Sequence, residues 1–307
     1  MNKVKISKLT KQLFVFLMVS ALLIPRTALA AEPTVNLGTT STYAILAGTT
    51  ITNTGTTVIN GDAGNDIGLY SGSSITGFGT VTMTGGATEI GTPAAITAKA
   101  DLVLAYNDAA GRTPTTTFAA TDNQLGGKTL TSGVYRFGHA STANLTASQP
   151  LILDAQGDPN AAFIFQATSD LVFASNSVVQ LINGARYCRV FWQVASDVTI
   201  NTSATFIGHI FAMNSIWLRT GATVQGQLLA RNGEVTLDAN TITNGLCATV
   251  ASAPSPAGGT AVIPSTGNEA RPWLWIGLSV VTLTGLVVLV TRIKRANRTN
   301  KSMDHDR

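Results

Sequence analysis

The side chains of this chain that could carry out catalysis are a small set of carboxylates: Asp154, Asp158, Asp170, Asp197 and Asp238. Hydrolysis of a glycosidic bond needs two carboxyl groups about 5 to 10 Å apart, one of them with a raised pKa. No spacing in the sequence indicates such a pair. Asp154 and Asp158 lie in a Gly/Pro-containing turn, where Asp commonly accepts a hydrogen bond from the nearby backbone. We therefore predict a protein without catalytic residues.

The histidines do not indicate a metal site. His139, His209 and His305 are the only three, and they lie too far apart in sequence to form the closely spaced ligand pairs of zinc sites. The turn at Asp154 lacks the ligand spacing of a calcium-binding loop. We predict neither a metal nor a cofactor.

Threonine, by contrast, recurs at a fixed spacing in the C-terminal half of the chain. Three segments of 18 residues align without a gap, FWQVASDVTINTSATFIG from residue 191, HIFAMNSIWLRTGATVQG from residue 209 and QLLARNGEVTLDANTITN from residue 227. Thr205, Thr223 and Thr241 occupy one position of this repeat. Short repeats rich in β-branched residues are typical of a solenoid in which each repeat forms one coil of β-strands. We therefore predict an all-β fold with stacked threonines.

The repeat has one irregularity and one earlier copy. Val198 and Ile216 align with Glu234, so we expect the third unit to shift by one residue through Val235. Because a one-residue slip exchanges the two faces of a strand, a bulge or a corner must absorb it. The segment FQATSDLVFASNSVV from Phe165 predicts a further coil ahead of the first unit.

One helix interrupts the β-rich pattern. Thr92 is suited to cap it, Pro93 to form its first turn and Gly111 to end it. The apolar residues that we expect to pack along the solenoid are Ile96, Ala100, Val103 and Leu104.

Both ends of the chain carry targeting signals. Four lysines, a short apolar run and the small residues Ala28 and Ala30 predict a signal peptide over residues 1–30. Residues 273–291 are uncharged and apolar, which predicts a transmembrane helix, and the basic tail 292–307 predicts a cytoplasmic C-terminus. We expect a secreted protein that is anchored at the cell surface.

Between these ends lie the folded domain, residues 31–250, and a Pro/Ala/Gly/Ser linker, residues 251–262. The whole chain has a formal net charge of +4, but residues 31–262 hold 8 basic and 13 acidic residues, a net charge of −5. A nucleic-acid-binding domain would show clustered basic residues instead. We therefore exclude nucleic acid as a partner and expect the domain to be a monomer.

A pentapeptide precedes the apolar segment, Ile263-Pro264-Ser265-Thr266-Gly267. It resembles the LPxTG sorting signal of Gram-positive surface proteins, with Ile in place of the usual Leu and with the hydrophobic span and basic tail in the same order. The resemblance implies that a sortase cuts between Thr266 and Gly267 and joins the Thr266 carbonyl to cell-wall peptidoglycan. The alternative is an uncleaved anchor that holds the protein to the membrane through the C-terminal helix.

Several blocks of the domain resemble one family, the bacterial and fungal ice-binding proteins of the domain-of-unknown-function 3494 type. The blocks are LG at 37–38, YAILAG at 43–48, ITNTG at 51–55, SITGF at 74–78, AYNDAAGR at 105–112, LGG at 125–127, GVY at 133–135, LDAQGDP at 153–159, FIFQ at 163–166, FWQV at 191–194 and ARNG at 230–233. The resemblance implies a discontinuous right-handed β-helix with one long α-helix packed alongside. It also implies that N-terminal coils pack among C-terminal coils.

The same resemblance implies that the partner is the surface of an ice crystal. Equivalent residues of successive coils stack about 4.8 Å apart, and alternate residues of a strand lie about 6.7 Å apart, so outward threonines form a flat lattice of methyl and hydroxyl groups. Thr is stiff at χ1 and anchors water through its hydroxyl. Such an array would hold water in ice-like positions and thereby inhibit ice growth and recrystallisation.

Two outward stripes are candidates for the ice-binding surface. The first is Thr202, Thr205, Thr220, Thr223 and Thr241, and we expect Thr50 and Thr52 to extend it. The second is Thr199, Asn201, Trp217, Arg219, Thr236 and Asp238. A plainer explanation is that Thr is favoured on any solvent-facing strand. Alternative functions are an adhesin that binds glycans or another cell, and a structural spacer in the cell wall.

Cys188 and Cys247 are the only cysteines, and export would permit a disulfide between them. If three coils stacked in sequence order, they would lie about 14 Å apart, beyond bonding reach. The sequence therefore leaves this bond open.

Overall fold

The computed structural model of the chain describes residues 32–138 and 143–247. The chain divides into two compact units, Met1–Ala251 and Ser252–Arg307, and every described residue belongs to the first. The segments expected from the sequence at 1–30, 251–262, 263–267, 273–291 and 292–307 lie outside the described residues. Within the described ranges, no helix has the length and apolar character that crossing a membrane requires.

The described chain is dominated by short strands. They are β1 (Tyr43–Ala47), β2 (Thr50–Thr54), β3 (Thr57–Asn60), β4 (Asp66–Leu69), β5 (Ser74–Thr76), β6 (Val81–Met83), β7 (Thr88–Ile90), β8 (Thr116–Phe118), β9 (Thr129–Leu130), β10 (Gly133–Phe137), β11 (Ala143–Leu145), β12 (Leu151–Asp154), β13 (Phe163–Ala167), β14 (Leu171–Phe173), β15 (Val179–Ile182), β16 (Val190–Val194), β17 (Val198–Ile200), β18 (Thr205–Ala212), β19 (Ile216–Leu218), β20 (Thr223–Ala230), β21 (Val235–Asp238) and β22 (Thr241–Thr243). The helix is α1 (Pro93–Gly111), and the 3-10 turns are η1 (Gly38–Thr42), η2 (Phe78–Thr80) and η3 (Tyr187–Arg189).

The strands form three parallel sheets, which we name A, B and C. Sheet A has 12 strands, and its main path runs β6-β3-β22-β20-β18-β16-β13-β10-β8. Sheet B has seven strands in the order β11-β14-β17-β19-β21-β2-β5, and sheet C has three, β15-β12-β9. From β9 to β22, consecutive strands of the chain lie in different sheets, so each passage through the sheets forms one coil, and coils stack strand on strand.

The strand register confirms the repeat predicted from the sequence. Phe191 pairs with His209, and His209 pairs with Gln227, so successive coils in sheet A are offset by 18 residues. In sheet B, Ile216 pairs with Val235 rather than with Glu234. The expected one-residue shift is therefore present in β21. The 18-residue offset is restored in β22, where Thr241 pairs with Thr223.

The N-terminal coils stack on the C-terminal ones. Strand β1 pairs with β20 and β4, β2 with β21 and β5, and β3 with β22 and β6. Coil order in space therefore departs from coil order in sequence, as the family resemblance implied.

Glycines divide the two longest strands of sheet A. In β18 and β20, Gly208 and Gly226 have φ values of 119° and 144°, in the region that favours glycine. A Cβ on Gly226 would overlap the carbonyl oxygen of Gly208. On the N-terminal side of these glycines, residues 205–207 and 223–225 form an uncovered part of the sheet. On the C-terminal side, residues 209–212 and 227–230 are buried on both faces.

Helix α1 covers this second part of sheet A. As predicted, it begins at Pro93 and ends at Gly111, and the Thr92 hydroxyl accepts a hydrogen bond from the Ala95 amide at 3.2 Å. The predicted packing stripe is wrong, because Ile96 is 42% and Leu104 67% exposed. The residues that pack against the sheet are Ala95, Ala98, Lys99, Leu102, Ala105, Tyr106 and Ala109.

The physical reason is the close approach of the helix to the strands. Four alanines on the inner face leave little room for larger side chains, and two polar-tipped residues satisfy groups of the sheet. Lys99 Nζ donates to the Ala230 carbonyl at 2.8 Å, and Tyr106 Oη accepts from Gln193 Nε2 at 2.8 Å. Burial, together with the nearby Arg231, lowers the pKa of Lys99 to about 8.

The space enclosed by the three sheets is filled with stacked apolar side chains. Trp192, Phe165 and Phe206 are buried there, and the Phe165 and Trp192 rings stack 3.9 Å apart. Such a core holds the coils rigidly.

Candidate functional site

The fold leaves two strand surfaces that carry the predicted threonines. We call the outward side of sheet B the Thr236 face, and the outward side of residues 205–207, 223–225 and 241–243 the Thr205 face. None of the nine threonines predicted as site residues is buried. The division of these residues between the two faces differs from the prediction.

The Thr205 face contains part of the first predicted stripe. Its main column runs Val178, Thr205, Thr223, Thr241, Val58 and Thr82 across adjacent strands. The hydroxyls of Thr205 and Thr223 lie 3.4 Å apart. The second column contains Ile207, Gln225, Thr243 and Asn60, and a shallow depression crosses the face between Thr205 and Thr243.

Thr202 and Thr220 lie in the turns that precede β18 and β20, at the edge between the two faces. Both are exposed, and the Thr220 hydroxyl donates to the Asp238 carboxylate, which belongs to sheet B. These two residues therefore form a corner rather than part of a strand lattice.

The Thr236 face is the longer of the two. Its central column runs through all seven strands of sheet B, Asn144, Val172, Thr199, Trp217, Thr236, Thr52 and Thr76. The placement of Thr50 and Thr52 in the first stripe is therefore wrong. Both lie on β2, which pairs with β21, and this strand continues the second stripe.

The physical reason for that error is the position of the first coil. The first coil stacks on the last C-terminal coil, and the strand that continues the column of Thr241 is β3, where Val58 is the partner. Thr50 and Thr52 lie on β2, the sheet-B strand of the same coil, and Thr52 pairs with Thr236 and with Thr76.

Side chains of the Thr236 face are joined by contacts between coils. Trp217 Nε1 donates to Glu234 Oε1 at 2.9 Å, and Thr50 Oγ1 lies 3.3 Å from Glu234 Oε2. Thr52 Oγ1 lies 3.3 Å from Thr236 Oγ1. These side chains are partly buried, so their conformations are restricted.

Sequence reasoning missed Thr76 and Glu234 as members of this face. Thr76 was hidden because its coil is added out of order. Glu234 had a usable signal, since the one-residue shift that brings Val235 into the core turns Glu234 outward.

Four of the five carboxylates considered for catalysis accept hydrogen bonds from backbone amides, whereas Asp238 accepts from the Thr220 hydroxyl. Asp154 Oδ1 accepts from the Gln156 amide at 2.7 Å, and Asp158 Oδ1 accepts from the Asn160 amide at 2.8 Å, as expected for Asp in a turn. In residues 32–138 and 143–247, His, Cys, Asp and Glu do not form a group of three or more that could hold a metal ion. His209 is buried, whereas His139 and His305 lie outside the described residues.

Cys188 and Cys247 form a disulfide, with their Cα atoms 5.4 Å apart. The larger distance derived for sequentially stacked coils does not apply, because Cys188 lies in η3. This turn leaves the stack and packs against β18 and β20, which brings it towards the end of β22.

Comparisons with known proteins all point to one family. A family model described as Ice-binding-like matches residues 45–243. An ice-binding protein of Nostoc sp. (strain HG1) is 43% identical over 209 residues, which are 68% of this chain and 73% of that protein. An ice-binding protein of Flavobacterium frigoris (strain PS1) is 33% identical over 68% of this chain and 76% of that protein.

Solved structures give the same result. The crystal structure of an ice binding protein from an Antarctic Biological Consortium has a TM-score of 0.64 at 36% identity, and covers 72% of this chain and 95% of that chain. The structure of an ice-binding protein from the Antarctic ascomycete Antarctomyces psychrotrophicus has a TM-score of 0.63 at 36% identity, and covers 69% of this chain and 98% of that chain.

Proposed function

We propose that this chain, which belongs to the Ice-binding-like family, binds ice crystals and thereby inhibits ice growth and recrystallisation. Its three stacked sheets are the faces of a discontinuous right-handed β-helix with α1 alongside. The domain acts as a monomer, and its partner is ordered water rather than a molecule to be transformed. The action requires no catalytic residue, metal or cofactor.

We assign ice binding to the Thr236 face. The observation that carries this assignment is the central column, which continues in register across all seven strands of sheet B. A longer column presents more repeats of the same spacing, about 4.8 Å between strands. The main column of the Thr205 face has six positions, from Val178 to Thr82, one fewer than the central column of the Thr236 face.

The mechanism follows from this geometry. Stacked Thr hydroxyls and methyls order the adjacent water, and rigid coils present the array without a further loss of conformational entropy. Many weak contacts then hold the molecule on the crystal. Ice can grow only between adsorbed molecules, where its surface must curve, and the added surface free energy lowers the local freezing point.

We expect this activity to lie outside the cell. We propose that residues 1–30 direct secretion and that residues 251–262 form a spacer. A sortase would then join Thr266 to peptidoglycan, or residues 273–291 would hold the protein in the membrane with the tail 292–307 inside. A tethered ice-binding domain would attach the cell to ice.

The proposed function is tested on the domain of residues 31–250. Relatives that align over 95 to 98% of their length with this domain have been solved as separate chains, so we expect it to fold on its own. We expect the domain to enter a growing ice hemisphere and to show thermal hysteresis. A folded domain that remains wholly in the liquid would refute ice binding, and glycan binding in its place would favour the adhesin.

Matched variants decide between the two faces. Thr236→Tyr places a bulky ring in the central column of the Thr236 face, and we expect it to lower thermal hysteresis severalfold without changing the melting temperature. Thr223→Tyr is the same substitution on the Thr205 face and should have little effect. The reverse pattern would assign ice binding to the Thr205 face.

A further inference from the structure

Glu234 is a charged residue at the edge of the Thr236 face, immediately before β21. The one-residue shift gives Val235 the core position opposite Ile216 and turns Glu234 outward. A free carboxylate binds water strongly and in its own geometry. At this position it would disturb the ordered water of the face unless protein donors occupied its oxygens.

Donors from two neighbouring strands do occupy them. The indole Nε1 of Trp217, on β19, donates to Glu234 Oε1 at 2.9 Å, a normal length for a hydrogen bond. Thr50, on β2, has its hydroxyl oxygen 3.3 Å from Glu234 Oε2. The indole contact is the shorter of the two, so we take it as the dominant one.

Trp217 is the residue that most needs to be held in place. It pairs with Thr199 on one side and with Thr236 on the other, and its ring is far larger than either side chain. An indole free to rotate would stand out of the face. The bond to Glu234 ties the ring diagonally to the next coil instead.

We infer that Glu234 is a positioning residue that holds the Trp217 indole flat in the Thr236 face, and that this keeps the face continuous where Trp interrupts the threonines. The expected effect of Glu234 on ice binding rests on the proposed function. Its expected effect on the position of the Trp217 indole does not.

The test is a double-mutant cycle between Glu234 and Trp217 in the domain of residues 31–250. We expect Glu234→Ala to lower thermal hysteresis severalfold at an unchanged melting temperature. In a Trp217→Phe background the same substitution should lower thermal hysteresis much less, because the indole on which Glu234 acts is absent. Glu234→Gln should retain part of the activity, since its amide oxygen can still accept from the indole.

A direct readout is the NMR signal of the indole N–H groups. The domain contains only Trp192 and Trp217, and Trp192 Nε1 donates to the buried Ile207 carbonyl. Glu234→Ala should shift the Trp217 signal and speed its hydrogen exchange, and leave Trp192 unchanged. Asp238→Asn is the control, because it alters another acidic residue of the same face without contacting the indole.

The possible results separate the two proposals. Independent, additive losses in the cycle, or an unmoved Trp217 signal in Glu234→Ala, would overturn the positioning role. A shifted signal with full thermal hysteresis would overturn its importance for ice binding. A wild-type domain without thermal hysteresis would refute the proposed function, and the indole signal would still report whether Glu234 holds Trp217.

Discussion

At the residue scale, His209 is an ionisable side chain enclosed between the sheet and the helix. It is 3% exposed, and its ring stacks 5.4 Å from that of Phe191. Burial lowers the pKa of His209 from 6.5 to about 4. The native state therefore holds a neutral imidazole at a pH where the unfolded chain binds a proton.

This difference predicts a loss of stability in mild acid. As the pH falls from about 6.5 towards 4, the unfolded state takes up a proton that the native state does not, so the free energy of unfolding decreases, by at most roughly 3 kcal/mol. We expect the free energy of unfolding of His209→Leu to vary less with pH between pH 5 and 7. Urea unfolding at several pH values measures it, and an equal slope in both proteins would contradict the assignment.

Single residues show how far the sequence could define the site. Thr205, Thr223 and Thr241 form a stack as predicted, because an 18-residue register can be read from one continuous segment. Thr52 could not be placed in the same way, since its partner Thr236 is 184 residues distant. The sequence contains no local signal for that pairing.

At the scale of the elements, the buried and exposed faces of α1 differ from those predicted from the sequence. Its ends follow from local chemistry, namely a hydroxyl cap and a proline at the start and a glycine at the end. Its buried face depends on how closely the sheet approaches, which no pattern within the helix expresses. Ile96 and Leu104 therefore lie outside, whereas Ala98 and Leu102 lie inside.

A matched pair of substitutions tests this orientation. Leu102 is fully buried and Leu104 is 67% exposed, although the two are only two residues apart. We expect Leu102→Ala to lower the free energy of unfolding by about 2 to 5 kcal/mol, and Leu104→Ala to change it by less than about 0.5 kcal/mol. Denaturant unfolding gives both values, and comparable losses would mean that the helix packs through the other face.

At the scale of the whole molecule, the order of the coils governs folding. Strands β1, β2 and β3 each pair with a strand beyond residue 222, so the N-terminal coils lack their C-terminal neighbours until almost all of the domain has been made. Contacts this distant in sequence slow folding.

A fragment of residues 31–200 tests this dependence. It lacks β18 to β22, and we expect its segment 43–90 to exchange amide hydrogens as an unfolded chain does, whereas the same segment is protected in the whole domain. Protection of β1 to β3 in the fragment would show that these coils fold without their C-terminal neighbours.

The overall architecture was predictable only in part from this sequence alone. The repeat predicts stacked coils, but the interleaving of N-terminal and C-terminal coils was implied by family resemblance. The disulfide illustrates the limit, because the sequence left it open and the departure of η3 from the stack decides it.

That disulfide also determines where the domain would bear mechanical load. A pull on the chain beyond Cys247 would pass through the bond to Cys188, which lies in η3 just before β16. The residues between the two cysteines, which include β17, β19 and β21 of the Thr236 face, lie in the loop that this bond closes. If the proposed C-terminal tether pulled on the domain, the bond would have to break before these strands could be drawn out one by one from the end of β22.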